Sequence, residues 1–272
     1  MTAFQRLIKL IANAIAIGLI VAIIGGAATL MLTITGVKTL KDEIQDVKDN
    51  EKFTLYSVEA GTDNISIELM TASLSIKIGD EFSVYYGEGF RVNSKKGTLK
   101  IEDTVKNLNL ARSHDVVVTL PKSASLGKVN ITSGTGSIYI ERLVCDRIEL
   151  DLGVGTTEID YIKAKTHSEI DCGVGALTVE KGLLNNLDYS AGVGKSDITA
   201  KITGVSDIEA GIGEIKLSLT GGSDIYTVKG ETGIGVIRVG KENLSDNKVI
   251  GSGKNVVTIE GGIGSVRVNF AD

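Results

Sequence analysis

Between about residues 55 and 130, apolar and polar residues alternate singly, as in NISIEL, SLSIKI, FSVYY, TLKIED, DVVVTL and KVNIT. A period of two places successive side chains on opposite faces, and the β-branched content suits half-buried strands. Lys95-Lys96-Gly97 marks a turn between two of them, and Pro121 ends VVVTL.

From residue 130 a longer period is laid over the alternation. Gly-x-Gly recurs at Gly134 and Gly136, Gly153 and Gly155, Gly173 and Gly175, Gly192 and Gly194, Gly211 and Gly213, Gly233 and Gly235, and Gly262 and Gly264. The first five copies start 19, 20, 19 and 19 residues apart; the last two intervals are 22 and 29. A fixed period of this size predicts stacked units that bury their apolar faces on one another. Apolar residues fall three before the first glycine (Ile131, Leu150, Ile170, Ile208, Ile259) and six after it (Ile140, Ile159, Val179, Ile198, Leu217, Val239, Val268). A further apolar position follows nine or ten after it (Leu143, Ile162, Leu183, Ile202).

Inward positions are therefore odd before the glycines and even after them. A corner or bulge slips the phase of a strand in this way, and glycine tolerates a positive-φ corner. The residue before the motif is mostly small (Ser133, Cys172, Ala191, Ala210). The pattern predicts an all-β fold: a β-solenoid of coils of 19–20 residues over 129–272, preceded by further coils or a cap over 53–128. Gly-x-Gly also opens dinucleotide-binding loops. Those carry a third glycine and run into a helix, whereas GVGTTEID and GVGALTVE continue as strands. The glycines read as structural corners, and no cofactor is expected.

The N-terminus follows neither pattern. After a tail over 1–9, no charged residue occurs from Leu10 to Val37. That run exceeds the roughly 20 apolar residues a membrane-crossing helix needs and is about twice a signal peptide's apolar region. It predicts an uncleaved single-pass anchor over 10–37. Ala14, Gly18, Ala22 and Gly26 form a small-residue stripe on it that permits close helix–helix approach. Residues 38–52, KTLKDEIQDVKDNEK, read as a charged stalk. Arg6 and Lys9 before the span do not outweigh Lys38, Lys41 and Lys48 after it. The expectation of an extracytoplasmic C-terminal domain rests instead on the short tail staying inside.

Composition narrows the function classes. With 29 basic and 34 acidic residues the chain is mildly acidic, which argues against a nucleic-acid partner. Its two histidines, His114 and His167, leave little for zinc or histidine chemistry, and no nucleophile–base arrangement presents itself. Cys145 and Cys172 occupy different repeat positions, so a disulfide between stacked coils is not expected. No catalytic residue is assigned, and the chain is not expected to be an enzyme.

The GVG-x-x-x-I/V units, the lead-in VVVTLPKSASLGKVNITSGTGSIYIE and the N-terminal apolar run together resemble the adhesin-like family of bacterial envelope proteins, the YvlB- and LiaG-like group. The resemblance covers about residues 55–272. It implies a β-helical domain, often membrane-anchored, in proteins associated with envelope stress. That family has no established catalytic residues, so none is carried over.

One feature of the repeats carries chemistry. Outward positions two and four before each motif hold Glu149 and Asp151, Glu169 and Asp171, Asp188 and Ser190, and Asp207 and Glu209. Stacked units bring equivalent positions to about 4.8 Å, where like charges repel. Two readings follow: a ladder for Ca²⁺, cationic peptides or polymers, or a solvated outer face. The Ca²⁺-repeat consensus G-G-x-G-x-D is not matched, since GGIGSVRV has no Asp at that place.

The leading functional expectation is a membrane-anchored, non-enzymatic envelope-interaction or stress-response protein. The alternative is a bactofilin-like scaffold that polymerises through its solenoid ends. GGIGSVRVNFAD stops just after an ordinary repeat, which makes the C-terminal coil the expected open end for self-association.

Overall fold

The alternating segments form strands almost throughout. A computed structural model describes residues 53–104, 115–246 and 248–271. The expected span over 10–37, the tail 1–9, the stalk 38–52 and His114 lie outside the described residues. Among the described residues no helix is long and apolar enough to cross a membrane.

The first strands are β1 (Thr54–Ser57), β2 (Asn64–Thr71), β3 (Ser73–Gly79), β4 (Ser83–Tyr86), β5 (Phe90–Lys95), β6 (Thr98–Asp103) and β7 (Asp115–Pro121). The Gly-x-Gly repeats supply β8 (Leu126–Ile140), β9 (Leu143–Ile159), β10 (Ile162–Asn185), β11 (Leu187–Ser190), β12 (Val193–Thr203), β13 (Val205–Glu209) and β14 (Ile212–Thr220). After a 3₁₀ turn at Ser223–Ile225 come β15 (Tyr226–Glu231), β16 (Ile234–Val239), β17 (Glu242–Leu244), β18 (Val249–Gly251), β19 (Asn255–Glu260) and β20 (Ile263–Ala271). The fold is all-β, as expected.

Strands one repeat apart pair in parallel and in register, building tiers. β8 pairs with β9, β9 with β10, β10 with β11 and β12, and these with β13 and β14. Register aligns the second glycines from Gly136 through Gly155, Gly175, Gly194 and Gly213 to Gly264 and Gly235. Ile131, Leu150, Ile170, Tyr189, Ile208 and Ile259 form one buried column before the corner. Ile140, Ile159, Val179, Ile198, Leu217, Val268 and Val239 form another after it. The expectation for Leu183 fails: Leu184 is the buried residue and pairs with Ile202, because the register shifts between Val179 and Gly182. That shift is a bulge on β10, which turns Leu183 off the core; the extra residue of the 20-residue interval before Gly173 is absorbed separately, between Ala164 and His167.

The two corner glycines are needed for different reasons. Gly175 has φ +146°, a region unfavourable to other residues, and a Cβ on it would strike the Gly155 carbonyl. Gly192 has no such φ. A Cβ there would collide with the carbonyls of Gly173 and Cys172 in the tier beneath. Close approach between tiers, and not the expected positive φ, sets the first glycine of the motif.

At both ends the order of tiers departs from the order of the chain. β19 and β20 insert between β13–β14 and β15–β16, so the last repeat in sequence lies inside the stack. Beyond it β15 and β16 are covered by β18 and β17, both antiparallel. The other end mirrors this. β2 and β3 pair with β8 on one side and with β6 and β7 on the other. β6 is then covered by β5, and β7 by β4, which β1 covers in turn, again antiparallel. The expectation of an open coil at the C-terminus is therefore overturned. β20 has a parallel partner on each side because the chain first builds the outer tier and its cover, then returns.

Candidate interaction face

The carboxylates singled out from the sequence do align. Parallel register sets Glu149 beside Glu169, Glu169 beside Asp188, and Asp188 beside Asp207. The second column runs Asp151, Asp171, Ser190 and Glu209, then continues to Glu260 and Glu231. The last two also stand two before a Gly-x-Gly, at Gly233 and Gly262, and were missed because only the four evenly spaced repeats were compared. Glu209, Glu231 and Glu260 share that position before the motif.

Cations temper the start of the first column. Lys128 Nζ lies 2.7 Å from Glu149 and Arg147 Nε 3.9 Å from its other oxygen. His167 Nε2 lies 3.8 Å from Glu169 and adds an ion pair when protonated. Asp171, in the middle of the second column, has no ion pair among the described residues. Burial against adjoining tiers, and then the charges of Glu169, Asp151 and Asp188, push its pKa above the usual carboxylate value.

Among the described residues, no three His, Cys, Asp or Glu side chains converge to hold a metal ion. In-register strands project equivalent side chains side by side and not toward a common point, whereas Ca²⁺ needs six to eight oxygens around it. Glu149, Asp151, Glu169, Asp171, Asp188, Asp207 and Glu209 lie side by side on an acidic face.

The face beyond the corner differs. Its outward column runs Tyr139, Glu158, Thr178, Asp197, Lys216, Arg267 and Arg238. Lys216 Nζ is 2.9 Å from Asp197, and Arg267 pairs with Glu214. Toward the C-terminal tiers this face ends in three successive cations.

The thiols are structural. Cys145 and Cys172 are both free. Burial raises the Cys145 pKa to about 12 and that of Cys172 to about 11, so neither is poised as a thiolate. Cys172 is half-buried at the inner corner, in the place Ala191 and Ala210 take in later repeats. The Tyr189 hydroxyl, fully buried, shares a hydrogen bond with Ser196 Oγ.

No family model matches the chain, and no curated protein matches it. Among solved structures, one described as a "putative cell adhesion protein" from Clostridium sporogenes is 18% identical, with a TM-score of 0.34, over 82% of this chain and all of that one. A "putative adhesin" from Bacteroides fragilis is 15% identical, with a TM-score of 0.44, over 81% of this chain and 98% of that one. A "putative lipid binding protein" from Parabacteroides distasonis is 16% identical, also at 0.44, over 81% and 97%. At these identities and scores the likenesses carry no functional argument.

Proposed function

We propose that the chain is a membrane-anchored β-solenoid that works in the bacterial envelope as an adhesin-like interaction protein, without catalysis of its own. The observation that most supports this is the unbroken register of the outer columns from tier to tier. It produces a long regular surface, acidic before the corner and ending in Lys216, Arg267 and Arg238 beyond it. Such a surface suits repetitive or extended partners, such as envelope polymers, cationic peptides or other envelope proteins, better than a small substrate. The apolar run over 10–37 supports the anchor, and the charged segment 38–52 would hold the domain clear of the bilayer. The family resemblance of the GVG repeats points the same way. Polymerisation through the stack ends is disfavoured, because each end finishes in short antiparallel strands.

Protease added to intact cells tests the placement. Loss of the domain while a cytoplasmic marker stays whole is the expected result; protection until lysis would contradict it. Binding of the full chain to isolated envelope material then tests the surface. Neutralising Asp151, Asp171, Asp188 and Glu209 together should abolish or redirect that binding, and unchanged binding would remove the acidic face from the account.

A further inference from the structure

The middle residue of each Gly-x-Gly has so far carried no role. Register stacks Val154, Val174, Val193, Ile212, Ile263 and Ile234 in a single column along the corner. All six are β-branched and aliphatic. Val154 is 41% exposed, Ile263 47% and Ile234, last in the column, 76%, while Val174, Val193 and Ile212 between them are half-buried. The glycines on either side have no side chains, so these residues stand as a ridge between two bare backbone strips. At about 4.8 Å per tier the ridge is roughly 24 Å long. An apolar strip of this kind, exposed toward both ends and half-buried between, marks an interaction surface.

We infer that this ridge is a lateral contact between two copies of the chain, packed side by side with their stacks parallel. Periodicity points to a second copy. β-branched side chains at one-tier spacing interdigitate with another row of the same spacing, and a second molecule of this chain presents that row tier for tier. Charge sets the direction. An antiparallel pair would bring the two acidic faces to the same side of the contact. A parallel pair about a two-fold axis along the stack sets each acidic face beside the partner's other face. At the last three tiers that matches Glu209 with Lys216, Glu260 with Arg267, and Glu231 with Arg238. Lys216 and Arg267 already pair within the chain with Asp197 and Glu214, so the new contacts select orientation more than they add strength.

Area sets the affinity. A ridge about 24 Å long and some 12 Å wide buries on the order of 300 Å² per copy, against the ~800 Å² per partner of a standard interface. The contact is weak between free molecules and effective where copies are concentrated. A membrane anchor would supply that concentration, but the contact itself does not depend on one.

Cross-linking of the full chain tests this. In a background of Cys145→Ala and Cys172→Ala, single Val154→Cys and Ile263→Cys variants are treated with a short bismaleimide, at low and high protein concentration. The parallel contact joins each position to itself, so each variant should form dimers about tenfold above an off-ridge Thr178→Cys control at high concentration. Adding Val193→Asp should return both to the control level without lowering the melting temperature. Dimers formed between Val154→Cys and Ile263→Cys chains, but by neither alone, would overturn the parallel arrangement. Cross-linking no better than the Thr178→Cys control at high concentration would overturn the contact altogether. Neither result depends on where the chain sits in the cell, so failure of the anchor reading is scored separately by membrane fractionation.

Discussion

Gly192, in the middle of the stack, has a tier on each side, and a Cβ on it would strike the backbone beneath. The equivalent corner of the β2–β3 tier reads Met70-Thr71-Ala72, with no glycine at all. Register places Thr71 beside Thr135, and a Cβ on Gly134 or Gly136 would meet the carbonyls of Met70 or Ala72. Each of these clashes falls on the tier toward β2–β3, and the β2–β3 corner itself carries side chains. What this corner lacks is a partner for its own N–H groups. Asp103 supplies one, its carboxylate accepting from Met70 N and Thr71 N, both at 3.2 Å. At the far end Asp246 does the same for Thr232, accepting from its backbone N–H at 2.9 Å and its hydroxyl at 3.1 Å. Interior corners are held by neighbouring backbone, and terminal corners by a carboxylate in its place. An exposed sheet edge invites foreign strands, and short antiparallel covers with capped corners close it.

The largest effect should separate those two kinds of corner. Gly192→Val is expected to cost more than about 4 kcal/mol or to prevent folding, because the backbone beneath cannot yield. Met70→Ala, at a corner without glycine and on an exposed side chain, should stay within about 0.5 kcal/mol. Thermal or urea unfolding of both variants reads this, and similar losses would erase the distinction.

Next in size is the cover itself. Leu244 of β17 is 3% exposed and lies beside Ile237 of the outermost tier. Leu244→Ala should cost about 2–4 kcal/mol. Leu244→Asp should in addition uncover the end and make sedimentation depend on concentration. A variant that stays monomeric would show that the cover is not what closes the edge.

Protonation should move the middle and the end in opposite directions. The backbone and hydroxyl hydrogen bonds from Thr232 lower the Asp246 pKa. Its contribution is therefore present above the ordinary aspartate pKa and is lost as pH falls through the depressed value. Asp171 has its pKa raised, so the folded protein binds its proton more tightly than the unfolded chain does. Stability then declines as pH rises from the ordinary value through the raised one. At neutral pH Asp246→Asn should lower the melting temperature and Asp171→Asn should raise it, with both differences shrinking in acid. Shifts of the same sign in the two variants would contradict the assignment.

Smallest of all should be the response to Ca²⁺. Because the acidic columns do not converge, millimolar CaCl₂ should shift the melting temperature no more than NaCl of equal ionic strength. A larger shift, lost when Asp171 and Asp188 are neutralised, would restore the metal reading.

The middle of the stack was legible in the sequence because each unit repeats the same demands. Glycine must occupy the crowded corner, and apolar residues must fill the same inward columns, so Ile131, Leu150 and Ile170 report one position three times. The acidic columns were legible through the same count. The ends were not. β4, β5, β17 and β18 are single short covers with no second copy to compare, and Met70-Thr71-Ala72 is a corner without the residue that marks corners. The inversion that tucks β20 inside the stack is a matter of chain routing, which periodicity does not encode. The 29-residue interval before Gly262 was its trace, since that interval holds the cover strands.

That inverted order is the central claim, and one pair of cysteine variants tests it directly. Glu214 lies beside Ser265 across β14 and β20, and Ser265 beside Val236 across β20 and β16. Adjacent parallel strands hold such positions about 4.8 Å apart, within disulfide reach, and two tiers separate them by about twice that. In a chain carrying Cys145→Ala and Cys172→Ala, the pair Glu214→Cys and Ser265→Cys should form an intramolecular disulfide on mild oxidation. The pair Glu214→Cys and Val236→Cys should not. If tiers followed chain order, Val236 would adjoin Glu214, and the second pair would close while the first stayed reduced.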